Sequence, residues 1–215
     1  MIKPDQGTED REPRPIGRRR FITGTLASLT AATGGLAPFL AKAKTRSPEF
    51  RNNVTQFRWL RPQTVPRQTP FLNANGDVLS LQNFRGKTLL VNFWATWCKP
   101  CLVEMPALDR LQKALGGDRF SVLAIAIDRG GLAVVEPFYR RMALNHLGIY
   151  LDPSQSTGYL DQANANKGAF ALYSLPISYL IDRHGRVLGY FPGSAEWDKP
   201  KAVRFLGHFI AGPGR

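Results

Sequence analysis

Two cysteines are the residues best suited to chemistry in this chain. Cys98 and Cys101 are its only cysteines, and two residues separate them. Cys98 follows an apolar run and precedes a predicted helix, so its sulfur faces the unpaired N–H groups at the helix amino end. Because these groups and the charge of Lys99 favour thiolate, we expect the pKa of Cys98 to fall from about 8.5 toward about 7 or lower. Cys101 can then resolve a mixed disulfide formed at Cys98.

A static disulfide and half of a metal site are the structural alternatives for this pair. A disulfide across so short a loop removes little entropy from the unfolded chain and stabilises the fold little. A metal site needs two further ligands, and the three histidines show no ligand spacing: His146, His184 and His208. The Cys-x-x-Cys spacing after a strand therefore favours redox chemistry, with a redox-active disulfide and neither a metal nor another cofactor.

The elements that must position this pair are predicted from the apolar pattern. Asn75-Gly76 between two apolar runs predicts a β-hairpin near residues 71–81. Residues 88–94 and 120–127 are almost continuously apolar and predict strands covered on both faces. Apolar residues at helical spacing between these strands predict a helix that Pro106 kinks.

The second half of the chain predicts a similar alternation. The expected elements are a helix at 135–142, a short strand at 149–151, strands at 177–181 and 187–191, and an amphipathic helix at 202–209. Residues 154–170 are polar and receive no element. The sum is an α/β sheet with helices on both faces.

Two segments of the chain resemble a known family. Residues 91–101, Val-Asn-Phe-Trp-Ala-Thr-Trp-Cys-Lys-Pro-Cys, resemble the active-site run of the TlpA-like branch of the thioredoxin superfamily, whose exported members include the ResA and DsbE proteins. Residues 175–182 are similar to the family's cis-proline segment. The resemblance implies a thioredoxin fold, a central mixed sheet flanked by helices with an N-terminal β-hairpin extension. It also implies that Pro176 is cis and faces the dithiol across a groove, where the backbone of Leu175 pairs with a substrate strand.

Two positions refine the mechanism that the resemblance implies. Thioredoxin itself has a buried Asp where this chain has Asn92, which cannot titrate. Glu104 lies three residues beyond Cys101, in the Cys-x-x-Glu pattern of ResA-like members, and becomes the candidate acid/base because burial near sulfur raises a carboxyl pKa. The alternative is a surface glutamate. The neighbours have supporting roles: dithiol tuning by Lys99, Pro100 and Asn92, and shielding of the dithiol by Trp97.

The first 43 residues resemble a twin-arginine export signal. Paired Arg18 and Arg19 precede a weakly apolar stretch at 24–40, and residues 41–43 form a small-x-small cleavage pattern. We therefore expect a periplasmic protein. An uncleaved inner-membrane anchor is the alternative, although about 17 residues is short for a span.

Charge and composition define two further segments. The 43% apolar content excludes a disordered chain and indicates a globular domain, which we place at residues 70–215. Residues 44–69 are basic and contain three prolines, so they predict an arm that is either a tether or a packed extension. The net charge of +13 could suggest nucleic acid, but no nucleic-acid motif is present and an exported protein does not meet that partner.

The sequence therefore predicts an exported thiol:disulfide oxidoreductase that reduces the disulfides of other exported proteins. Cys98 attacks the substrate, Cys101 expels the reduced product and Glu104 manages the proton. No nucleotide-binding motif is present, so a membrane partner must supply the electrons. The resemblance implies substrates in cytochrome c maturation or copper-centre assembly, and we expect a monomer. Two alternatives stay open: an oxidant of folding proteins, and a binding module that only latches an apoprotein or copper partner.

Overall fold

The structure, a computed structural model, describes residues 48–53, 55–66, 69–160 and 168–212. The predicted export signal lies outside these residues. In chain order the strands are β1 (Arg58–Trp59), β2 (Phe71–Asn73), β3 (Val78–Leu79), β4 (Thr88–Trp94), β5 (Phe120–Ala126), β6 (Tyr150–Leu151), β7 (Gly158–Tyr159), β8 (Phe170–Ala171), β9 (Ile177–Ile181) and β10 (Val187–Pro192). The helices are α1 (Lys99–Leu115), α2 (Leu132–Met142) and α3 (Pro200–Ile210), with a 3-10 turn at Leu81–Phe84.

Eight strands form a mixed sheet around β4. Their order is β1-β10-β9-β4-β5-β6-β2-β3. β4 runs parallel to β5 and antiparallel to β9. Every residue of β4 is buried, which requires cover on both faces of the sheet and matches its continuous apolar run. The predicted α/β class with a central mixed sheet is confirmed.

The predicted β-hairpin is present at one end of this sheet. Phe71 pairs with Leu79 and Leu72 with Val78, and β2 continues the sheet beside β6. Gly76 adopts a φ of +83° in the turn, a backbone conformation that glycine enters without steric cost.

The helices cover the sheet with the apolar faces that their spacing predicts. α1 runs through Pro106 and buries Met105, Leu108 and Leu111. Pro100 in its first turn suits a helix start, because the first N–H groups have no helical partner. The buried residues of α2 and α3 are Val135, Phe138, Tyr139, Ala202, Phe205 and Leu206.

A small second sheet occupies part of the segment that received no predicted element. β7 and β8 pair in parallel, Gly158 opposite Phe170. The Phe170 ring is buried and packs on the rings of Phe93 and Tyr179. Strands of two residues are too short to show a period, so sequence pattern could not reveal them.

The basic arm packs against the domain at residues 50–53 and 55–59, whereas residues 61–65 are exposed. Residues 50–53 and 55–59, here called the strap, fold back on themselves through a bridge between Arg51 and Gln56 and then add β1 to the edge of β10. Phe50 and Phe57 are buried in the core. Both phenylalanines lie before residue 70, so the core begins earlier in the chain than the expected domain.

Candidate active site

The two cysteines lie at the junction of β4 and α1. Cys98 caps the amino end of α1 and forms a disulfide with Cys101, with an S–S distance of 2.04 Å. The backbone N–H of Cys101 donates to Cys98 Sγ over 3.3 Å. A helix amino end therefore faces the sulfur, which is the arrangement that stabilises a thiolate at this position.

The two sulfur-bearing residues differ in access to solvent. Cys98 retains 7% of its surface and Cys101 only 1%. Lys99 and Pro100 between them are exposed. An incoming group therefore meets Cys98 first, which is compatible with the predicted attacking role of Cys98 and resolving role of Cys101.

The predicted cis-proline is present, directly before β9. The Leu175–Pro176 peptide bond is cis. β4 and β9 pair with Phe93 opposite Ile177, which brings Pro176 level with the end of β4, where the chain turns toward Cys98. Leu175 is half-buried and Pro176 is buried. Because proline has no backbone N–H, Pro176 cannot donate a hydrogen bond to a neighbouring strand.

Glu104 is buried inside the domain rather than exposed on the helix surface. Its Oε1 accepts from the backbone N–H of Ala195 over 2.9 Å and from the Trp197 indole N–H, and its Oε2 accepts from Asn92 Nδ2 over 3.1 Å. Burial raises the pKa of Glu104 from its ordinary value of 4.5 to about 7, against the three hydrogen bonds that lower it. A carboxyl group with this pKa exchanges protons near neutrality.

Glu104 and Cys101 lie one helical turn apart on the buried side of α1. Among the residues that the structure describes, the hydrogen-bond partners of Glu104 include neither cysteine sulfur. Catalytic hydrogen bonds often form only in another state of the reaction, so this geometry leaves the acid/base role a prediction.

Asn92 connects Glu104 to the strand that follows the cis-proline. Its Nδ2 donates to Glu104 Oε2 and, over 2.9 Å, to Ser178 Oγ. Within the described part of the chain, the buried Oδ1 of Asn92 has no partner. Rotating the amide by half a turn would bring Oδ1 to the same position, where it can accept from a protonated Glu104 and from the Ser178 hydroxyl. Asn92 can therefore match either charge state of Glu104.

Trp97 lies beside the dithiol with 63% of its surface exposed. Such exposure is unusual for a tryptophan and marks an apolar surface next to Cys98 that water does not favour. This placement is compatible with the predicted shielding of one side of the groove.

Asp128, which is not among the site residues predicted from the sequence, supports the active-site loop. It lies just beyond β5 and accepts from the Thr96 backbone N–H over 3.0 Å and from the Thr96 hydroxyl over 2.6 Å. Asp128 is buried, so these bonds fix the loop before Cys98 from the neighbouring strand. An acidic residue directly after a buried strand was the available signal. Ala195 and Trp197 gave no such signal, because each lies more than ninety residues from Glu104 in the sequence.

Two features are absent from the described part of the chain. No group of three or more His, Cys, Asp or Glu side chains there is arranged to hold a metal ion. No helix there has both the length and the apolar character needed to cross a membrane.

Comparisons with known proteins show what this chain is similar to. The Redoxin family model matches residues 42–206, more than half of the chain. The thiol-disulfide oxidoreductase ResA of Geobacillus kaustophilus is 31% identical over 122 residues, 57% of this chain and 64% of that protein. The thioredoxin-like protein YneN of Bacillus subtilis is 53% identical over 51 residues, 24% of this chain and 29% of that protein.

A solved structure shows the same fold. That of a thiol:disulfide interchange protein DsbE from Chlorobium tepidum superposes with a TM-score of 0.57 at 23% identity, covering 70% of this chain and 99% of that one. The chain spans less than two thirds of the length of the curated relatives named above. By the extent of the family match and by its fold, the chain belongs to the Redoxin family and has the thioredoxin fold.

Proposed function

We propose that the chain is a thiol-disulfide oxidoreductase that reduces disulfides in other proteins. The observation that carries the proposal is the Cys98–Cys101 disulfide at the amino end of α1, in which the sulfur of the more exposed cysteine accepts from a helix N–H. This arrangement favours a reactive thiolate in the reduced state. Relatives named thiol-disulfide oxidoreductase ResA support the same activity.

The reaction is an exchange of two electrons between sulfur pairs. In the reduced protein, the Cys98 thiolate attacks one sulfur of a substrate disulfide, forms a mixed disulfide and releases one substrate thiolate. The Cys101 thiolate then attacks Cys98 Sγ, which re-forms the intramolecular disulfide and releases the second substrate thiolate. The enzyme dithiol is oxidised, the substrate disulfide is reduced, and its two thiolates take up two protons.

Glu104 is the proposed proton acceptor for Cys101. Cys101 is almost fully buried, so its thiol must lose a proton inside the protein before it can attack. Glu104 lies one turn along α1, with a pKa of about 7 that lets it accept and return a proton near neutral pH. Asn92 stays hydrogen-bonded through this change if its amide rotates.

The proposed substrate groove lies between Cys98 and Pro176, at the end of β4 and the start of β9. An extended substrate segment would pair with the backbone of Leu175 while its disulfide lies against Cys98. Exported proteins whose cysteines must be reduced before haem or copper attaches fit this chemistry. We propose a periplasmic location, a monomeric state and a membrane electron donor that re-reduces the pair, since the reaction consumes the dithiol in an oxidising compartment.

Two cysteine variants test the proposal with the full chain. The wild-type protein should accelerate the reduction of insulin disulfides by dithiothreitol, and Cys98→Ser should abolish the acceleration. Cys101→Ser should form a covalent adduct with a disulfide-containing substrate that dithiothreitol releases, because the mixed disulfide at Cys98 cannot be resolved.

The same experiment separates the alternatives. If Cys101→Ser forms no adduct, the reductase proposal fails. Partner binding that survives in Cys98→Ser, without turnover by the wild type, would instead identify a binding module. In a glutathione buffer, faster oxidation of a substrate dithiol than reduction of the corresponding substrate disulfide would identify an oxidant.

A further inference from the structure

The strap contacts the groups that surround Glu104, although it lies far from them in sequence. The Phe50 ring lies 5.1 Å, between ring centroids, from the ring of Trp197, which is fully buried. The indole N–H of Trp197 donates to Glu104 Oε1. Phe50 therefore packs directly on a donor to the Glu104 carboxyl group, and its packing restricts the orientation of that indole.

A second strap residue, Asn52, fixes the backbone N–H of Ala195, which is the other donor to Glu104 Oε1. Asn52 Nδ2 donates to the carbonyl oxygen of Ser194 over 3.1 Å. The N–H at the other end of that peptide group belongs to Ala195 and donates to Glu104 Oε1 over 2.9 Å. A peptide group is planar, so fixing its oxygen also fixes the direction of its N–H. A hydrogen bond at the oxygen also polarises the N–H and strengthens its bond to the carboxylate.

The strap also forms one wall of a solvent-facing cleft that reaches Glu104. The cleft has a volume of about 480 Å³, and α1, the loop after β10 and the start of α3 form its other walls. Lys201 Nζ donates to the Arg51 carbonyl oxygen over 2.6 Å and ties the strap to α3 across it. The charged residues lining the cleft with Glu104 are Arg51, Arg110, Glu196, Asp198, Lys199 and Lys201. Asn92 of β4 donates to Glu104 and to Ser178 of β9, and neither Asn92 nor Ser178 is charged.

We propose that Phe50 and Asn52 of the strap are positioning residues for Glu104, holding the Trp197 indole and the Ser194–Ala195 peptide group against its carboxyl group. The strap thereby sets the proton affinity of Glu104, although it lies outside β4 and α1, the strand and helix that flank the dithiol. Only the consequence for catalysis rests on the proposed reductase function, through the proton that Glu104 exchanges with Cys101.

The first test measures the titration of Glu104 in the oxidised full chain. Carbon-13 NMR of labelled glutamate carboxyl groups gives its midpoint, and Glu104→Gln assigns the signal. Asn52→Ser retains a side-chain oxygen for the local turn but cannot reach Ser194. Because the Ala195 N–H bond lowers the pKa of Glu104, its weakening should raise the midpoint by about half a pH unit or more. Asn53→Ser, a change at the neighbouring exposed residue, should leave the midpoint unchanged.

The second test follows the Trp197 indole N–H. Phe50→Ala should speed the hydrogen exchange of this N–H at least several-fold relative to the wild type, and Phe50→Leu should restore part of the protection, since it refills most of the space. If Phe50→Ala does not fold, Phe50→Leu alone should still exchange faster than the wild type.

The Glu104 midpoint and the Trp197 exchange rate test the positioning role of the strap without measuring any thiol reaction. A Glu104 midpoint that is unchanged or lowered in Asn52→Ser, or an indole exchange rate that Phe50 substitution does not alter, would overturn it. A protein that shows these shifts but reduces no disulfide would refute the reductase proposal alone. If both the inference and the reductase proposal hold, the pH profile of disulfide reduction should shift to higher pH in Asn52→Ser, together with the Glu104 midpoint.

Discussion

Glu104 shows how a residue's chemistry depends on neighbours that the sequence does not place. Its position after Cys101 made it a candidate, and its burial is a property of the fold. The donors to Oε1 come from the loop beyond β10, and the donor to Oε2 comes from β4. Residue types and spacing identified Cys98 and Cys101, and the family resemblance added Asn92, Glu104 and Pro176. Asp128 and Trp197 act through contacts between distant segments.

Glu104→Gln should change how stability depends on pH. The folded-state pKa of about 7 lies above the ordinary value of 4.5, so the native state binds more protons between these values. The contribution of Glu104 to the free energy of unfolding is therefore fully present below about pH 4.5, and about 3 kcal/mol of it is lost as the pH rises through about 7. The Gln variant lacks this loss, so its stability relative to the wild type should increase from about pH 5 to about pH 8. Urea unfolding of both oxidised proteins measures this, and parallel pH profiles would contradict it.

Loss of the Asp128 carboxylate should destabilise the loop before Cys98. Asp128→Ala leaves the Thr96 N–H without its acceptor in a largely buried place, at a cost of about 1–3 kcal/mol. Asp118→Ala, at an exposed loop position, should change the free energy of unfolding by no more than about 0.5 kcal/mol. Thermal or urea unfolding compares the two variants. Equal effects would show that the Asp128–Thr96 bonds do not hold this loop.

At the scale of elements, the spacing of apolar residues predicted the helices of several turns and the longer strands. β4, β5, β9, β10 and the three helices lie where continuous or helically spaced apolar residues indicate them. The strap could not be predicted in this way, since Phe50 and Phe57 stand at no regular spacing in a segment with prolines. Their burial depends on a surface supplied by α3 and β10, which only the folded chain assembles.

Close contact between β1 and β10 predicts the effect of one glycine substitution. A Cβ on Gly189 would lie 2.3 Å from the Arg58 carbonyl oxygen and 2.5 Å from the Phe57 ring. Gly189→Ala should therefore displace the strap and cost about 1–3 kcal/mol. Gly207→Ala in α3 meets no atom within 4 Å and should stabilise the helix by about 0.5–1 kcal/mol. Unfolding free energies that change with the same sign in both variants would contradict this.

At the scale of the whole molecule, the order of the strands makes β4, which precedes Cys98, a neighbour of β9, which follows Pro176. β4 and β9 are neighbours although more than eighty residues separate them, and their antiparallel pairing brings Pro176 level with the end of β4, from which the chain continues to Cys98. The family resemblance predicted this arrangement and its mixed sheet. The contacts between the strap and the surroundings of Glu104 had no counterpart in the sequence pattern, because they depend on where one peptide group and one indole lie in space.

The net charge of +13 predicts a substrate preference. Peptide disulfides flanked by acidic residues should be reduced faster than otherwise identical peptides with basic flanks, by about tenfold or more at low ionic strength. About 0.5 M salt should remove most of this difference, because screening shortens the range of charge attraction. Stopped-flow rates with the two peptides test this. A preference that survives high salt would assign selectivity to contacts in the groove instead.

The reduction potential of the Cys98/Cys101 pair tests the central claim most directly. It is measured by equilibrating the full chain in dithiothreitol or glutathione buffers and quantifying free thiols. A reductant of protein disulfides should have a potential near that of thioredoxin, about −270 mV, or lower. A value near about −120 mV would contradict the account and identify an oxidant.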